Sequence, residues 1–140
     1  MTHERVIPAP LRSPADDKFW RYLKMGEIRI QRCTSCRRWR YPPDPLCPWC
    51  WSDAVEWVEI EGRGKLLSWA TFHRSYFRFV PVPYVVAAVA TVEGPIICAS
   101  LTNPAMRPLR LDAEVETVLD HGMLEEGQPW TVFNWRVVSA

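Results

Sequence analysis

Four of the five cysteines form two Cys-x2-Cys pairs, Cys33 with Cys36 and Cys47 with Cys50, within 18 residues. Two such turns facing each other place four thiolates at the corners of a tetrahedron, which Zn²⁺ accepts with every position closed. The alternatives are a redox iron centre and a catalytic zinc. Rubredoxin-type iron knuckles usually carry glycine after the second cysteine of each pair, whereas Arg37 and Trp51 follow here. We therefore expect one structural Zn²⁺ bound by these four thiolates.

A second group of candidate residues forms one loop, which we call the aromatic loop: His73, Arg74, Ser75, Tyr76, Phe77, Arg78, Phe79, Val80 and Pro81. Arginine forks bind phosphate oxygens and aromatic faces stack on purines, so this composition suits the adenosine diphosphate end of CoA. Arginine and aromatic residues are also enriched at protein interfaces. Three interpretations stay open: a partner interface, a CoA contact and plain core packing.

The sequence offers little for catalysis by the chain alone. It contains no Gly-x-Ser-x-Gly, no phosphate-cradling glycine loop and no glutamate between metal-binding histidines. His73 suits a general base, a phosphate contact or a hydrogen-bonded structural role, and His121 has the features of a structural histidine. Cys98 lies in an apolar stretch, and we expect it to be a small buried residue on a strand. We expect no catalytic residue in this chain.

Charge is distributed unevenly along the chain. Residues 1–52 carry ten Lys/Arg against five Asp/Glu, and residues 53–140 carry seven against eleven, which gives +5 and −4 and sums to the net +1. The positive charge is densest around the first cysteine pair, at Arg29, Arg32, Arg37, Arg38 and Arg40. Such a patch suits phosphates, an acidic partner or simply a solvated face.

A short amphipathic helix is predicted just before the first cysteine pair. Ser13 is a good N-cap, Pro14 suits the first helical position, and Asp16 completes a short capping box. Phe19, Trp20 and Leu23 share one apolar stripe, and Gly26 ends the helix. Upstream, residues 1–12 have no periodicity, and we expect a flexible arm.

The rest of the chain is predicted to be mostly β. Residues 27–32 and 39–43 have the pattern of strands around the cysteine turns, in a unit over residues 13–57. Five tryptophans of this half are expected to pack around the metal site, with coverage by a partner as the alternative for some of them: Trp20, Trp39, Trp49, Trp51 and Trp57. Residues 58–140 contain five further strand patterns, at 65–72, 84–93, 96–101, 114–120 and 130–138. Five short strands without a convincing helix favour a closed OB-fold barrel.

Length and composition are consistent with a small cytoplasmic protein. With 140 residues and 48% hydrophobic content, the chain can bury one sizeable core and a small satellite. No apolar run reaches the roughly 20 residues of a membrane span, and the first residues lack a signal-peptide pattern. Four cysteines in a thiolate-metal pattern fit a reducing compartment.

An ordered set of motifs resembles the acyl-CoA-associated zinc-ribbon/OB-fold family, catalogued as domain of unknown function thirty-five. The set is Phe19-Trp20 with Leu23 and Gly26, Cys33-x2-Cys36, Tyr41-Pro42-Pro43, Cys47-Pro48-x-Cys50, Trp57, Gly62-x-Gly64, Ser68-Trp69-x-x-Phe72-His73 and Pro83-Tyr84-x-Val86. The resemblance implies an N-terminal helix, a rubredoxin-like zinc ribbon and an OB-fold, and it covers the chain from about Asp16 onward.

The same resemblance implies an accessory role in a hetero-oligomer. Family members usually accompany a thiolase-like protein encoded nearby, which they stabilise, help to bind CoA thioesters or provide with part of its active site. Such partners include aldolases that act on steroid side-chain CoA esters, and the partner carries the catalytic residues. This chain departs from the family where a Gly-Met-x-Val turn is replaced by Asp112-Ala113-Glu114-Val115, which leaves the geometry of that turn open.

Two hypotheses of different classes follow. The first is a non-catalytic accessory subunit of a thiolase-superfamily acyl-CoA enzyme. The second is a nucleic-acid-binding module, because zinc ribbons and OB-folds both serve that purpose and the ribbon is basic. The negative charge of the barrel half argues against nucleic acid, since a groove that follows a phosphate backbone should be positive.

Overall fold

The computed structural model describes residues 5–10, 12–103 and 106–138. A 3-10 turn at Pro14–Asp16 leads directly into the helix α1 at Asp17–Lys24. The strands are β1 Val6–Ile7, β2 Arg29–Cys33, β3 Trp39–Arg40, β4 Val55–Glu59, β5 Arg63–Phe72, β6 Tyr84–Thr91, β7 Ile96–Thr102, β8 Glu114–Leu124 and β9 Pro129–Val137. The helices of this described part fall short of the length and apolarity that a bilayer crossing requires.

The N-terminal helix forms as its capping pattern predicts. The Ser13 N–H donates to the Asp16 carboxylate at 3.0 Å, which satisfies one of the unpaired donors at a helix start. Phe19 and Leu23 are buried on one face of α1. Gly26 then adopts a left-handed backbone with φ 87°, and its N–H bonds the Leu23 carbonyl at 3.0 Å, which ends the helix.

A three-stranded antiparallel sheet carries the cysteine turns, in the order β3-β2-β4. β2 pairs with β4 over five residues, from Arg29 opposite Glu59 to Cys33 opposite Val55. The expected boundary between residues 57 and 58 therefore falls inside β4, which belongs to the ribbon sheet. The return strand is shorter than the expected 39–43, because Tyr41 is followed by two prolines that donate no ladder hydrogen bond.

Five strands close a barrel with OB-fold connectivity. β5 pairs with β6, β6 with β7, β7 in parallel with β9, β9 with β8, and β8 returns to β5. This confirms the mostly β fold with a five-stranded OB barrel after the ribbon. The β8 strand extends to Leu124, four residues beyond the expected end, because it pairs with β9 as one long hairpin.

Part of the arm that we expected to be flexible is a strand. Val6 and Ile7 of β1 pair in parallel with Met123 and Leu124 of β8. Gly122 permits this approach, since a Cβ there would lie 2.5 Å from the Arg5 carbonyl oxygen. Residues 1–4 and 11 of the expected arm lie outside the described residues.

One hydrophobic core joins the ribbon half to the barrel. Leu23 and Ile30 from the first half, and Leu66 and Trp135 from the barrel, all have no measurable exposed surface and belong to one cluster. The Trp135 indole N–H donates to the Ile97 carbonyl at 3.2 Å, so its one polar atom is satisfied. The two halves are therefore packed as one unit, and the stability of each depends on the other.

The turn that departs from the family pattern keeps a left-handed residue. Asp112 has φ 63°, and its N–H donates to the Leu66 carbonyl at 2.8 Å. Aspartate enters the left-handed region more readily than most residues. The loss of glycine therefore leaves the turn in a conformation that glycine would also adopt.

Candidate functional site

The four cysteine sulfurs of the ribbon converge on one point. Their Sγ atoms all lie within 4.8 Å of one another, with Cys33 to Cys50 and Cys36 to Cys47 each at 3.6 Å. Four thiolates bound tetrahedrally to zinc at about 2.3 Å have sulfurs about 3.8 Å apart. The donor set and its spacing fit one Zn²⁺. Because protein ligands would fill all four positions, the bound zinc would contribute folding energy and no open coordination site.

The two cysteine turns have the same local conformation. Arg37 and Trp51, which follow the second cysteine of each pair, both have a left-handed backbone, with φ 69° and 65°. Each N–H closes the turn on the first cysteine of its pair, Arg37 to the Cys33 carbonyl at 2.9 Å and Trp51 to the Cys47 carbonyl at 2.8 Å. Each turn thus has a non-glycine residue in a left-handed conformation that glycine favours. This conformation costs about 1–2 kcal/mol of conformational free energy for each residue.

Backbone donors favour the thiolate form of the two buried sulfurs. The Cys36 N–H donates to Cys33 Sγ at 3.4 Å and lowers the pKa of Cys33 against the opposing effect of burial. Burial raises the pKa of Cys47, but N–H donors from Cys50 and Trp49 outweigh it and lower the value to about 6. Hydrogen bonds to the charged form are a general cause of such lowering. These two thiols are therefore preorganised as metal ligands.

The tryptophans around the ribbon do not all pack as expected. Trp20, Trp39 and Trp57 pack against the main core. Trp49 and Trp51 are instead 61% and 75% exposed, so the expectation that they pack around the metal is wrong. Both lie on the second cysteine turn, at the surface of the ribbon, and Arg38 lies over the Trp49 ring at 4.8 Å. Two exposed indoles on one turn form a large apolar surface, and such surfaces commonly mark a site that binds a ligand or a partner.

The aromatic loop projects into solvent between β5 and β6. Tyr76 is 60% exposed and Phe77 48% exposed. Arg74 lies over the Tyr76 ring at 5.5 Å and Arg78 over the Phe79 ring at 5.3 Å. The structure therefore brings the six candidate residues His73, Arg74, Tyr76, Phe77, Arg78 and Phe79 onto one segment, and the role of that segment stays a prediction.

The base of the aromatic loop is held by stacked rings. Phe72, the last residue of β5, stacks on Tyr84, the first residue of β6, at 5.0 Å and an interplanar angle of 6°. Tyr76 meets the edge of Phe72 at 6.1 Å. Such aromatic pairs contribute about 0.5–1.5 kcal/mol beyond their buried area. The loop thus has a fixed base while its tip remains accessible.

The strand that precedes the loop has an open edge. β5 pairs with β8 only at Arg63–Lys65, and the last bonds on that side join Leu66 to Ala113 and Asp112. Beyond this point, within the described residues, β5 has a ladder partner only in β6. Leu67 and Trp69 are 39% and 37% exposed, and no charged residue occurs between Leu66 and His73. Such an edge is normally protected by charge or by a covering element.

A large cavity lies beside the aromatic loop. It has a volume of about 900 Å³ and is lined by Tyr76 and Phe77, by residues 7–10 of the arm, by Phe19 of α1 and by residues 41–43 of the ribbon. Burial raises the pKa of Tyr41, one of the lining residues, to about 12. The sequence does not show the cavity, because several separate segments, β7 and β9 among them, build it.

Two further residues clarify the sequence predictions. Cys98 is exposed and lines this cavity, so the prediction that it is buried is wrong: Ile97 and Leu101 of β7 face the core, and Cys98 lies on the opposite face. His121 Nδ1 lies 2.8 Å from Thr131 Oγ1, which agrees with a structural role.

Similarity to known families covers most of the chain. Residues 20–56 match the family described as "ChsH2, rubredoxin-like zinc ribbon domain", and residues 57–120 match "ChsH2, C-terminal OB-fold domain". A solved structure described as "Ltp2-ChsH2(DUF35) aldolase" is 30% identical, with a TM-score of 0.77, and the match covers 92% of this chain and 98% of that one.

Other similar proteins differ in length and source. A probable enoyl-CoA hydratase alpha subunit from Thermomonospora curvata is 35% identical over 75% of this chain, but this chain spans only 33% of its length. A DUF35 domain-containing scaffold protein from Pyrococcus furiosus is 29% identical over 72% of this chain and 75% of its own. A DUF35 structure of unknown function from Sulfolobus solfataricus shares the fold at 16% identity, with a TM-score of 0.61 over 90% of this chain and 87% of that one.

The two family matches meet between residues 56 and 57. The first corresponds to the zinc ribbon of the structure and the second to its OB-fold. The rubredoxin-like ribbon and its four convergent thiolates identify the expected cofactor as one structural zinc. The chain belongs to the ChsH2 zinc-ribbon/OB-fold family of DUF35 proteins.

Proposed function

We propose that this chain is a non-catalytic accessory subunit of a thiolase-superfamily acyl-CoA enzyme, such as a thiolase or an aldolase that cleaves CoA-ester side chains. The observation that carries the proposal is the uncharged open edge of β5, which continues along the chain into the exposed aromatic loop. We call this surface, from Leu67 to Phe79, the docking surface. An uncharged strand edge and exposed aromatic side chains promote association with another chain, so a surface of this kind is normally covered by a partner.

The similar proteins support a role beside an acyl-CoA enzyme. One is part of a structure named as an aldolase with ChsH2, another is named an alpha subunit of an enoyl-CoA hydratase, and a third is named a scaffold protein. Steroid side chains are one substrate class that this role would include. We propose that the partner supplies the catalytic residues and that this chain stabilises it and completes its active site or its CoA site.

The geometry of the docking surface suits a protein interface better than a phosphate site. Arg78 is already paired with Glu125 at 3.1 Å, which leaves Arg74 as the one arginine of the loop without an ion pair among the described residues. The exposed large apolar side chains of this surface are Leu67, Trp69, Tyr76 and Phe77, and the exposed Arg74 and Arg78 lie beside them in sequence. Aromatic anchors of this kind provide most of the binding energy at many interfaces. We therefore assign the aromatic loop to the partner interface.

Paired substitutions test this assignment. Replacing Trp69 and Phe77 by serine should weaken binding of a co-expressed thiolase-like partner by at least about 2 kcal/mol for each anchor. Replacing the exposed Met25 and Val92 by serine is the matched control, because both lie outside the docking surface. Calorimetric titration with the partner measures both. Equal binding by the parent, the test variant and the control would refute the assigned interface.

The two arginines separate an interface from a CoA contact. If Arg74 and Arg78 bind CoA phosphates, replacing both by alanine raises the Michaelis constant for the CoA ester while the complex stays intact. Our proposal predicts instead a weaker complex, with an unchanged Michaelis constant once the complex is saturated. A raised Michaelis constant in the saturated complex would contradict it.

A further inference from the structure

A second concave surface shares Tyr41 and Pro42 with the cavity. We call it the ribbon cleft, and residues 37–42, 44, 48–49 and 94–96 line it, with a volume of about 760 Å³. It runs between the first cysteine turn, the second cysteine turn and the turn from β6 to β7. It combines arginines with the exposed indole of Trp49.

Arg38 and Arg40 of the ribbon cleft have side-chain N–H groups without a hydrogen-bond partner among the described residues. Arg38 is exposed and lies over the Trp49 ring at 4.8 Å. Within residues 5–10, 12–103 and 106–138, its guanidinium has neither a hydrogen bond nor an ion pair to another residue. A guanidinium offers five N–H donors in a fixed fork that matches phosphate oxygens. Arg38 is thus positioned by stacking and free to bind an anion.

Arg40 contributes a second guanidinium to the lining of the cleft, and this residue is almost fully buried. It is 2% exposed, and its Nη1 donates to the Asp44 carbonyl at 2.9 Å. Its Nε has no hydrogen-bond partner, and in the described part of the chain no carboxylate lies within ion-pair distance. A buried cation that contacts only carbonyl oxygens favours a negative charge nearby.

The net charge of this region is small once zinc is bound. Four thiolates around Zn²⁺ carry a formal charge of about −2, which offsets part of the positive charge of the arginines. Anions are therefore not attracted by net charge alone. Recognition has to depend on aligned donors and on stacking, which selects a ligand that carries both phosphate and an aromatic ring.

Trp49 supplies the stacking surface. It is 61% exposed, and Arg38 lies against one face of its ring. An indole supported in this way offers its remaining face to a planar base, an interaction that contributes about 1–3 kcal/mol. Trp51 is even more exposed but does not line the cleft.

The position of the cleft indicates the kind of nucleotide. Tyr41 and Pro42 line both the ribbon cleft and the apolar cavity beside the aromatic loop. A ligand with a phosphate-bearing purine at one end and an apolar chain at the other could reach from the cleft into the cavity. We propose that the ribbon cleft binds the phosphate-bearing adenosine end of an acyl-CoA, with Arg38 on phosphate and Trp49 on the base. The choice of acyl-CoA among nucleotides rests on the proposed function.

Binding of adenosine 3′,5′-bisphosphate to the full zinc-loaded chain tests the proposal. Titration at low ionic strength should show saturable binding that added salt weakens. Arg38→Ala should weaken it about tenfold and Trp49→Ala about fivefold or more. The matched controls Arg21→Ala and Trp51→Ala, both exposed and outside the cleft, should stay within about twofold of the parent protein. Zinc content and thermal midpoint verify that each variant is folded.

Three outcomes overturn the proposal. The first is no saturable binding of the bisphosphate by the parent protein, and the second is bisphosphate binding by the Arg38 and Trp49 variants that equals that of the parent. The third is binding of a single-stranded oligonucleotide that is much tighter than that of the bisphosphate and depends on the same two residues. Partner binding is measured separately. If the partner complex forms and turns over acyl-CoA but the bisphosphate does not bind, the cleft assignment fails and the proposed function stands. If the bisphosphate binds as expected but no complex forms, the cleft assignment stands and the accessory role fails.

Discussion

Replacing one zinc ligand should destabilise the barrel as well as the ribbon. Cys36→Ser removes one of the four converging sulfurs but adds no bulk. Structural zinc contributes about 10–16 kcal/mol of apparent binding free energy in small zinc units, which is comparable with the total stability of a domain at about 5–15 kcal/mol. The ribbon should therefore unfold or bind zinc only weakly.

The effect on the barrel follows from the shared core. Leu23 and Ile30 of the ribbon half have no exposed surface and pack in the cluster that contains Leu66 and Trp135. Each such side chain contributes about 1.5–3 kcal/mol by burial, so detachment of the ribbon half removes about 3–6 kcal/mol from the common core. For a chain of this size, that corresponds to a fall of about 10 °C or more in the thermal midpoint of whatever remains folded.

Elemental analysis and thermal unfolding together measure this prediction. The parent protein should contain one zinc per chain, and Cys36→Ser should have a lower zinc content and a lower thermal midpoint. Cys98→Ser is the matched control, because this exposed thiol lies outside the metal group and its loss should alter neither value. An unchanged thermal midpoint in zinc-free Cys36→Ser, or iron with a reversible redox potential in the parent protein, would refute the reasoning.

Three further predictions follow from single features. Gly122→Ala should lower the free energy of unfolding by about 1–3 kcal/mol and make the arm more sensitive to protease, because its Cβ would meet the Arg5 carbonyl at 2.5 Å; unaltered stability would show that β1 is not held there. Asp112→Gly should leave stability within about 1 kcal/mol of the parent, whereas Asp112→Val should lower it further, since only the β-branched residue resists φ 63°; equal effects on chemical denaturation would contradict this. Acidification from about pH 8 to about pH 5 should release zinc, because protons compete with the metal for the thiolates. The lowered pKa values of Cys33 and Cys47 keep these two thiols deprotonated only while the pH stays above those values. A zinc indicator dye that detects no release would contradict the four-thiolate site.

Features encoded in short segments could be predicted from the sequence. The cysteine spacing specifies the metal site because each turn is closed by its own backbone hydrogen bonds, from Arg37 to Cys33 and from Trp51 to Cys47. The helix cap at Ser13 and the alternation along the strands are equally local. These signals are sufficient for the ribbon, the barrel and the ligand set.

Features that several segments build together could not be predicted. The pairing of β1 with β8 depends on close approach at Gly122, and the cavity depends on the arm, α1, the ribbon and the aromatic loop meeting at one place. The apolar neighbours of Cys98 predict a buried position, but the period-two alternation of β7 places its side chain on the outer face. The open edge of β5 depends on where its pairing with β8 ends, which is after Lys65, and the sequence does not show that point.

The most direct test of the accessory role is the molar mass and activity of the chain co-expressed with a thiolase-like protein of the class that we propose as its partner. Light scattering on the size-exclusion peak should give a hetero-oligomer that turns over an acyl-CoA, while the isolated chain shows no turnover and the isolated partner loses activity or solubility. Turnover by the isolated chain that His73→Ala abolishes, or two proteins that elute separately while the partner retains full activity alone, would contradict the account.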